Sequence, residues 1–399
     1  MSTYLGVEQA ERIIDQYLDD LENIVNIDSG TYNKQGVDRV GQYLQRRFQD
    51  FGFSTHFERQ EQYGDHLVAA HKGSAPRSPR LLLIGHMDTV LADGEAQRRP
   101  FTISHRQTPG SQPVRIATGP GVLDMKSGIL IGMYALHLLI ATHQANYQSV
   151  TFLCNSDEEI GSPGSKALVQ DLARQADAVL VLEPGRAVGT VVSSRRGVGQ
   201  YRVEVQGVSA HAGVEPKRGR NAILELAYQV QRLQALNDTI PGTTLNVGII
   251  RGGERTNVVP ANASCDIDIR VSDQAGLKAL EAAMHKVISK SLVQDTKVTL
   301  SGSMCHMPFE RTEGNTRLVR LVKEVGLELG LKIEDVGSGG GSDGNTTSAM
   351  GVPTLDGLGA GGGLAHNPGE YIELDYLPTR IALVAGLVQR ICQEGTPIK

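Results

Sequence analysis

The chain has 399 residues, 40% of them apolar and 21% charged, and a formal net charge of −5. These are globular values, the length argues for two domains, and an acidic chain without a basic cluster excludes nucleic acid as a partner. The four cysteines (Cys154, Cys265, Cys305, Cys392) form no CxxC pair, which points to free thiols in a reducing compartment. The opening MSTYLGVEQAERIID has no basic n-region or apolar h-region. No apolar stretch reads as the ~20 residues a membrane span needs. The expectation is a soluble, cytoplasmic protein with no membrane partner.

Apolar positions at helical spacing over residues 7–27 (Ile13, Ile14, Leu18, Leu21, Ile24, Val25) predict an amphipathic helix. A second runs from about Gly36 to Phe51 and stops at Gly52. The run LLLIG at 81–85 predicts a buried strand ending at His86, and the turn GPGVLDMKSG opens a helix over 126–143. A second apolar run, Val150 to Leu153, ends in the acids Asp157, Glu158 and Glu159. A helix at 164–175 and a strand at 178–182, ending in Glu183, follow. Strands alternating with helices predict an α/β domain with a mainly parallel sheet covered by helices.

Around Arg195 the pattern changes to β-α-β-β-α-β: strands at 199–207, 243–250, 263–271 and 296–301, with helices at 221–236 and 274–290. That order is ferredoxin-like. It reads as a domain of residues 195–305 inserted into a first domain of 1–194 and 306–399. The first domain resumes with a helix at 314–330, a Gly-rich loop at 337–344, a strand at 352–356 and a closing helix at 377–393.

Three predicted strands of the first domain therefore end in hard-metal ligands: His86, Glu158-Glu159 and Glu183. Asp124 adds one from the loop opening a helix, and His366 lies in GLAHNPGEYI. Acids just past the carboxyl end of a buried strand lie where open α/β sheets place their sites. Uncompensated, such a cluster repels itself and costs several kcal/mol to bury. A solvated acidic turn explains residues 157–159 equally well until the other strand ends are counted. Two histidines with three carboxylates and no thiolate suit a dinuclear zinc or cobalt site, with ~3.5–4 Å between metals. The Gly-rich stretches 337–344 and 357–363 lack the GK[ST] of a P-loop and the helix a dinucleotide fingerprint opens, so they read as loops near substrate.

The segments HMDTV (86–90), GPGVLDMKSG (119–128), NSDEEIGSPGS (155–165), GVSAHAG (207–213), GGGSDGNTTSAMGVPTLDGLG (339–359) and LAHNPGEYI (364–372) together resemble one family. It is the dinuclear zinc exopeptidase and deacylase family of glutamate carboxypeptidase, acetylornithine deacetylase, succinyl-diaminopimelate desuccinylase and peptidase T. The early segment NIDSGTYNKQGVDRVGQYL is most similar to the glutamate carboxypeptidase branch.

The resemblance implies that Asp124 bridges two divalent ions, zinc with cobalt or manganese as substitutes. His86 and Glu183 would hold one ion, Glu159 and His366 the other. It implies that Asp88 hydrogen-bonds the far nitrogen of His86, that Glu158 is the general base, that Asp124–Met125 is a cis peptide and that Asp343 supports the site. It further implies a homodimer, in which His211 reaches the neighbouring subunit's site to stabilise the oxyanion. Asn257 and Arg270 would hold a substrate carboxylate. On the residues alone, His211 is an ordinary surface histidine and Arg270 a strand-end arginine in an ion pair. The family's lysine shortly after the Glu183 position has no counterpart here, where EPGRAVGTVVSSRRG offers arginines, so glutamate preference does not follow. The implied reaction is metal-dependent hydrolysis of an amide, releasing a C-terminal amino acid or an amino acid from its N-acyl derivative. An aminopeptidase of the peptidase T type and a non-catalytic binding relative are the alternatives. All five ligand positions and Glu158 are filled, which a degenerate binder need not preserve.

Overall fold

A computed structural model describes residues 6–107 and 112–395. The chain divides into two compact units. One takes in the described residues up to Ser194, then Arg311–Gly337, then those from Ser342 onward; the other is Arg195–Glu310 with Ser338–Gly341.

The first unit is built on a six-stranded sheet in the order Ser54–Glu58, His66–Lys72, Ser149–Asn155, Arg80–His86, Ala178–Val181, Thr354–Leu355. The last four strands are mutually parallel, and the first two form an antiparallel hairpin on one edge. Parallel strands buried on both faces need continuous apolar runs, and the side-chain period of two splits each run between two cores. Leu81 and Leu83 enter the larger core with helices Ile14–Val25, Lys34–Asp50, Ser127–Ala141, Glu313–Glu328 and Leu377–Glu394. Leu82 and Ile84 face the opposite way, against Val169 and Ala173 of helix Lys166–Gln175.

Several sequence expectations change. The helix predicted over 7–27 is two pieces, Val7–Glu11 and Ile14–Val25. No Gly or Pro marks the break, and the apolar spacing runs through it unaltered. The stretch Val122–Ala141 is, by length and composition, apolar enough to cross a membrane, contrary to the reading above. Most of it is buried in the core of this unit. The Gly-rich loop at 337–344 gives way to a helix, Asp343–Ala349, opened by a reciprocal cap between Ser342 and Asn345.

An antiparallel sheet outside the sequence reading orders Gly362–Gly363, Tyr371–Glu373, Val114–Thr118 and Thr102–Arg106. The last of these is exposed along its whole length and carries no apolar signal. This sheet matters to function. It pairs Tyr371 with Thr118, so the segment holding His366 is anchored beside the strand that leads to Asp124.

In the second unit the chain order is Gly197–Gln206, helix Ala222–Gln234, Thr243–Gly252, Asn262–Val271, helix Gln274–Ile288, Lys297–His306. The strands form one antiparallel sheet with Thr243–Gly252 and Lys297–His306 at its edges, the ferredoxin-like arrangement. Both helices start at a side-chain cap, Asn221 accepting from Leu224 N and Asp273 from Gly276 N. They cover one face through Leu226, Leu233, Leu277, Leu280 and Met284.

Candidate active site

Strand register brings the acids to one level. His86 pairs with Asn155 across parallel strands, so the short 3-10 turn Glu158–Ile160 begins three residues beyond that level. Ile84 pairs with Val181, which carries Glu183 to the height of His86. Asp124 sits in the irregular helical turn Val122–Lys126, and its peptide to Met125 is cis.

His86 Nε2 lies 3.1 Å from Asp124 Oδ1 and 3.6 Å from Glu183 Oε1. The other oxygen of Asp124, Oδ2, lies 3.1 Å from His366 Nε2, which is also 3.3 Å from Glu159 Oε2. Asp124 thus presents one oxygen to each histidine. Ligand atoms of His86, Glu158 and Glu183 fall within 4.8 Å of one another, as do those of His86, Asp124 and Glu159. Leu364 and His366 both have positive φ, 62° and 61°. This left-handed backbone is unfavourable for residues with a Cβ, and it is tolerated only where the surroundings impose it.

Asp88 does more than the sequence reading assigned to it. Its carboxylate accepts from Thr31 Oγ1 at 2.7 Å and from the backbone N–H groups of Glu158 and Glu159, both at 3.2 Å. It therefore orients the turn that carries both glutamates. The nearer partner of His86 Nδ1 is the backbone carbonyl of Asp88, at 2.9 Å, with the carboxylate Oδ1 at 3.4 Å. Either acceptor puts the proton on Nδ1 and leaves Nε2 facing Asp124 and Glu183.

The electrostatics follow from packing acids together. Burial raises the Glu158 carboxyl well above its usual range, and repulsion from Glu183, Asp343 and Glu159 adds to that against the pull of His86. Burial also raises Glu159, with the two histidines opposing. Burial would raise Asp124 too, but its contacts with His366 and His86 prevail and hold it low. Asp124 and Glu159 push His366 up to about 10. The cluster thus draws positive charge, and a divalent cation answers that demand more strongly than an imidazolium. Glu159 Oε1 is buried with no hydrogen-bond partner among the described residues, an acceptor whose burial is costly unless something positive faces it. Two imidazole nitrogens, several carboxylate oxygens and no thiolate fit borderline to hard divalent ions.

Several supporting residues escaped the sequence reading. Glu370, buried, accepts from three successive-turn amides: Gly121 N at 3.0 Å, Leu123 N at 2.8 Å and Asp124 N at 2.8 Å. Burial pushes it up to about 7, the three N–H groups opposing. Its only sequence signal is its nearness to His366. Lys126, fully inside, donates to Ile27 O at 2.9 Å and Pro120 O at 3.3 Å, and burial pushes it down to about 7. Asp343, which the sequence reading did expect to support the site, accepts from Asn155 Nδ2 and Ser162 Oγ, both at 2.6 Å, and so ties together the two ends of the segment carrying the glutamates. Behind Glu183, Gly359 N donates to Glu183 O at 2.9 Å. A Cβ on Gly359 would lie 2.4 Å from Leu182 O, so only glycine fits there. The buried Arg380 secures that loop through Gly359 O, Gly357 O and Thr190 O.

The other three predicted residues belong to the second unit. His211, exposed, lies on the two-residue strand Ala210–His211, and its Nδ1 accepts from Gly213 N at 3.1 Å and Val214 N at 3.2 Å. Asn257 is exposed, and its backbone carbonyl accepts from Ala212 N. Arg270 makes a fork with Asp268, Nε to Oδ1 at 2.8 Å and Nη2 to Oδ2 at 3.0 Å, with Nη1 3.5 Å from Gly339 O.

A mixed α/β sheet at whose rim two histidines and four carboxylates converge, from strand ends, a helical turn and a loop, defines a dinuclear metallohydrolase. Residues 82–390 match the family described as peptidase family M20/M25/M40, and the chain belongs to that family. It is 30% identical over 376 residues to carboxypeptidase G2 of Pseudomonas sp. (strain RS-16), covering 92% of this chain and 87% of that one. It is 26% identical over 341 residues to a succinyl-diaminopimelate desuccinylase of Cupriavidus necator, covering 82% and 86%. The solved structure of the aminopeptidase PepT from Bacillus cereus shares the fold with a TM-score of 0.78 at 22% identity, over 95% of this chain and 98% of that one. The protein is a metal-dependent hydrolase of amide bonds.

Proposed function

We propose that this enzyme releases an amino acid with a free carboxylate, either from the C-terminus of a short peptide or from its N-acyl derivative, and that it works as a homodimer. The observation that carries the reading is geometric: the Glu158 carboxylate lies within 4.8 Å of the ligand atoms of His86 and Glu183, on a turn oriented by the Asp88 carboxylate. His86 and Glu183 would hold one divalent ion, Glu159 and His366 the other, with Asp124 shared; zinc, cobalt and manganese all suit these donors. When bound, such a pair supplies polarisation of the scissile carbonyl and acidification of water. Glu158 takes the proton from the attacking water and returns it to the leaving amine, its place beside the His86–Glu183 pair putting it within reach of both.

His211 donates to the oxyanion. Its Nδ1 already accepts two amides, so the proton sits on Nε2, where a donor is wanted. Arg270 and Asn257 hold the substrate carboxylate, with Asp268 fixing one edge of the guanidinium. Support for the dimer is an unpaired strand edge, Thr243–Gly252, with Ile249 and Ile250 exposed, next to exposed Ile223, Leu224 and Tyr228 of helix Ala222–Gln234. All four cysteines are free, which supports a reducing, cytoplasmic setting.

The test is a screen of N-acyl amino acids and dipeptides with enzyme reconstituted in zinc, cobalt or manganese. Substrates amidated at the C-terminus should be nearly inert. Equal cleavage of the amide and the acid would remove the carboxylate clamp in favour of an aminopeptidase.

A further inference from the structure

No motif marks His66 in the sequence, yet the first unit closes around it. It opens the strand His66–Lys72 and is wholly buried. Leu67 pairs with Cys154 across antiparallel strands, which sets His66 beside the point where the neighbouring strand ends and the glutamate turn begins. There its Nδ1 lies 3.0 Å from Ser156 Oγ. Ser156 gives its one hydroxyl proton to Gly64 O, so Nδ1 must be the donor in that contact. The proton of a neutral ring therefore sits on Nδ1, and Nε2 is a bare lone pair. Nε2 is buried and has no hydrogen-bond partner among the described residues.

An unsatisfied acceptor in a core costs free energy, and an apolar residue of similar size would avoid it. What surrounds the ring gives that acceptor a use. Burial lowers the pKa of His66 from its usual value, against the pull of three carboxylates from separate elements: Asp157 of the glutamate turn, Asp65 of the loop before the strand, and Asp88 beyond His86. Asp65 is already paired with Lys34, at 2.8 Å, and with Arg59. Asp88 accepts from Thr31 and from two amides of the turn. Asp157 is the group that closes the turn on itself. Its oxygens accept from Gly164 N, from Ser165 N at 3.2 Å and from Ser165 Oγ at 2.6 Å. The backbone of Gly164 also lies close to the His66 ring.

We infer that His66 is a positioning residue, a clasp whose neutral ring holds the glutamate turn and whose protonation releases it. In the neutral form its one donor pins Ser156, two residues before Glu158, and Asp157 keeps its bonds to Gly164 and Ser165. A proton on Nε2 puts a second donor among acceptors that the turn already uses. The Asp157 carboxylate is then drawn from Gly164 and Ser165, and Glu158 and Glu159 lose their seat. Because the ring is buried, it resists the charge, and the clasp opens on the acid side of the ordinary imidazole range. The inference rests on the proposed role of Glu158, since the seat of the turn counts in kcat only if the turn carries the base.

Two readouts on the zinc-loaded enzyme test it. Nuclear magnetic resonance of protein with nitrogen-labelled histidine, with His66 assigned by its loss in His66→Asn, should show a neutral ring carrying its proton on Nδ1 at about pH 8 and titrating below the usual imidazole range. The second readout is kcat against pH. His66→Asn keeps an amide donor for Ser156 but takes up no proton. It should hold kcat near the native value at about pH 8 and lose less of it than the native enzyme at about pH 5. His66→Leu removes the donor and should cost about 10–100-fold in kcat across the range, with KM little moved. A neutral ring protonated on Nε2, the same acid limb in native and His66→Asn enzyme, or native kcat in His66→Leu overturns the clasp. Enzyme that hydrolyses no N-acyl amino acid or dipeptide counts against the proposed function instead. The clasp is then decided by the tautomer and by zinc affinity, which should match in native and His66→Asn protein at about pH 8 and be weaker in the native at about pH 5; equal affinities at both overturn it.

Discussion

The two units hold their candidate site residues in different ways. In the first, His86, Asp88 and Glu183 are buried, and the Asp124 turn is gripped by three backbone bonds to Glu370. Each group is oriented by a neighbour that is itself packed, so the geometry exists before any substrate arrives. In the second, His211 and Asn257 stand exposed beside a two-stranded fragment, and Arg270 spends two of its donors on Asp268. The lesson is that the groups proposed to do chemistry, which tolerate little misplacement, are anchored to a core even where a side chain, as at His366, is itself half exposed. The groups proposed to recognise substrate sit on a surface and cost little to hold there.

Breaking the packed half should have the largest effect. Asp124→Ala removes the carboxylate that faces both histidines. Activity should fall beyond detection, and metal analysis should show loss of bound divalent ion; retention of two ions would mean the other carboxylates suffice. Next comes Glu158→Gln, which should lower kcat by ~10²–10⁴-fold while leaving metal content unaltered. Full turnover in that variant would assign the base elsewhere.

Glu370→Gln keeps the shape but loses one acceptor and the charge for three amides. We expect metal affinity to weaken by about 10–100-fold, read by competition with a chelator. Unchanged affinity would show that the turn holds itself.

The exposed half should respond more gently. Arg270→Lys keeps a charge and loses the fork, so KM for carboxylate substrates should rise by about tenfold with metal content intact. A change confined to kcat would argue against a binding role. The comparison sharpens most if recognition crosses between subunits. Mixing His211→Ala with Glu158→Gln protein should then restore about a quarter of native activity, since half the exchanged dimers regain one complete site. No recovery after demonstrated exchange would confine His211 to its own chain.

The candidate ligands were legible because each follows a strand or turn with its own signal. LLLIG before His86 and the apolar run before Glu158 are buried strands by composition alone, and parallel strands deliver their carboxyl ends to one rim. The order of elements in the second unit was legible for the same reason, since each of its strands and helices carries its own periodicity. What stayed hidden was whatever depends on a partner distant in sequence. Beyond its nearness to His366 nothing local marks Glu370, because its role is to accept amides 246–249 residues away. Arg380 acts through carbonyls of Thr190, Gly357 and Gly359. The exposed strand Thr102–Arg106 has no apolar pattern, and it exists only because Val114–Thr118 offers it an edge.

By itself the sequence determined the buried parallel strands, the long amphipathic helices and the inventory of acids and histidines, because hydrophobic period and residue chemistry are local properties. Only the tertiary structure decided which oxygen of Asp124 faces which histidine, that the carbonyl of Asp88 is the nearer partner of His86 Nδ1, and that His66 lies against Ser156. Those facts rest on distances between segments brought together by packing, and no periodicity within a segment encodes them.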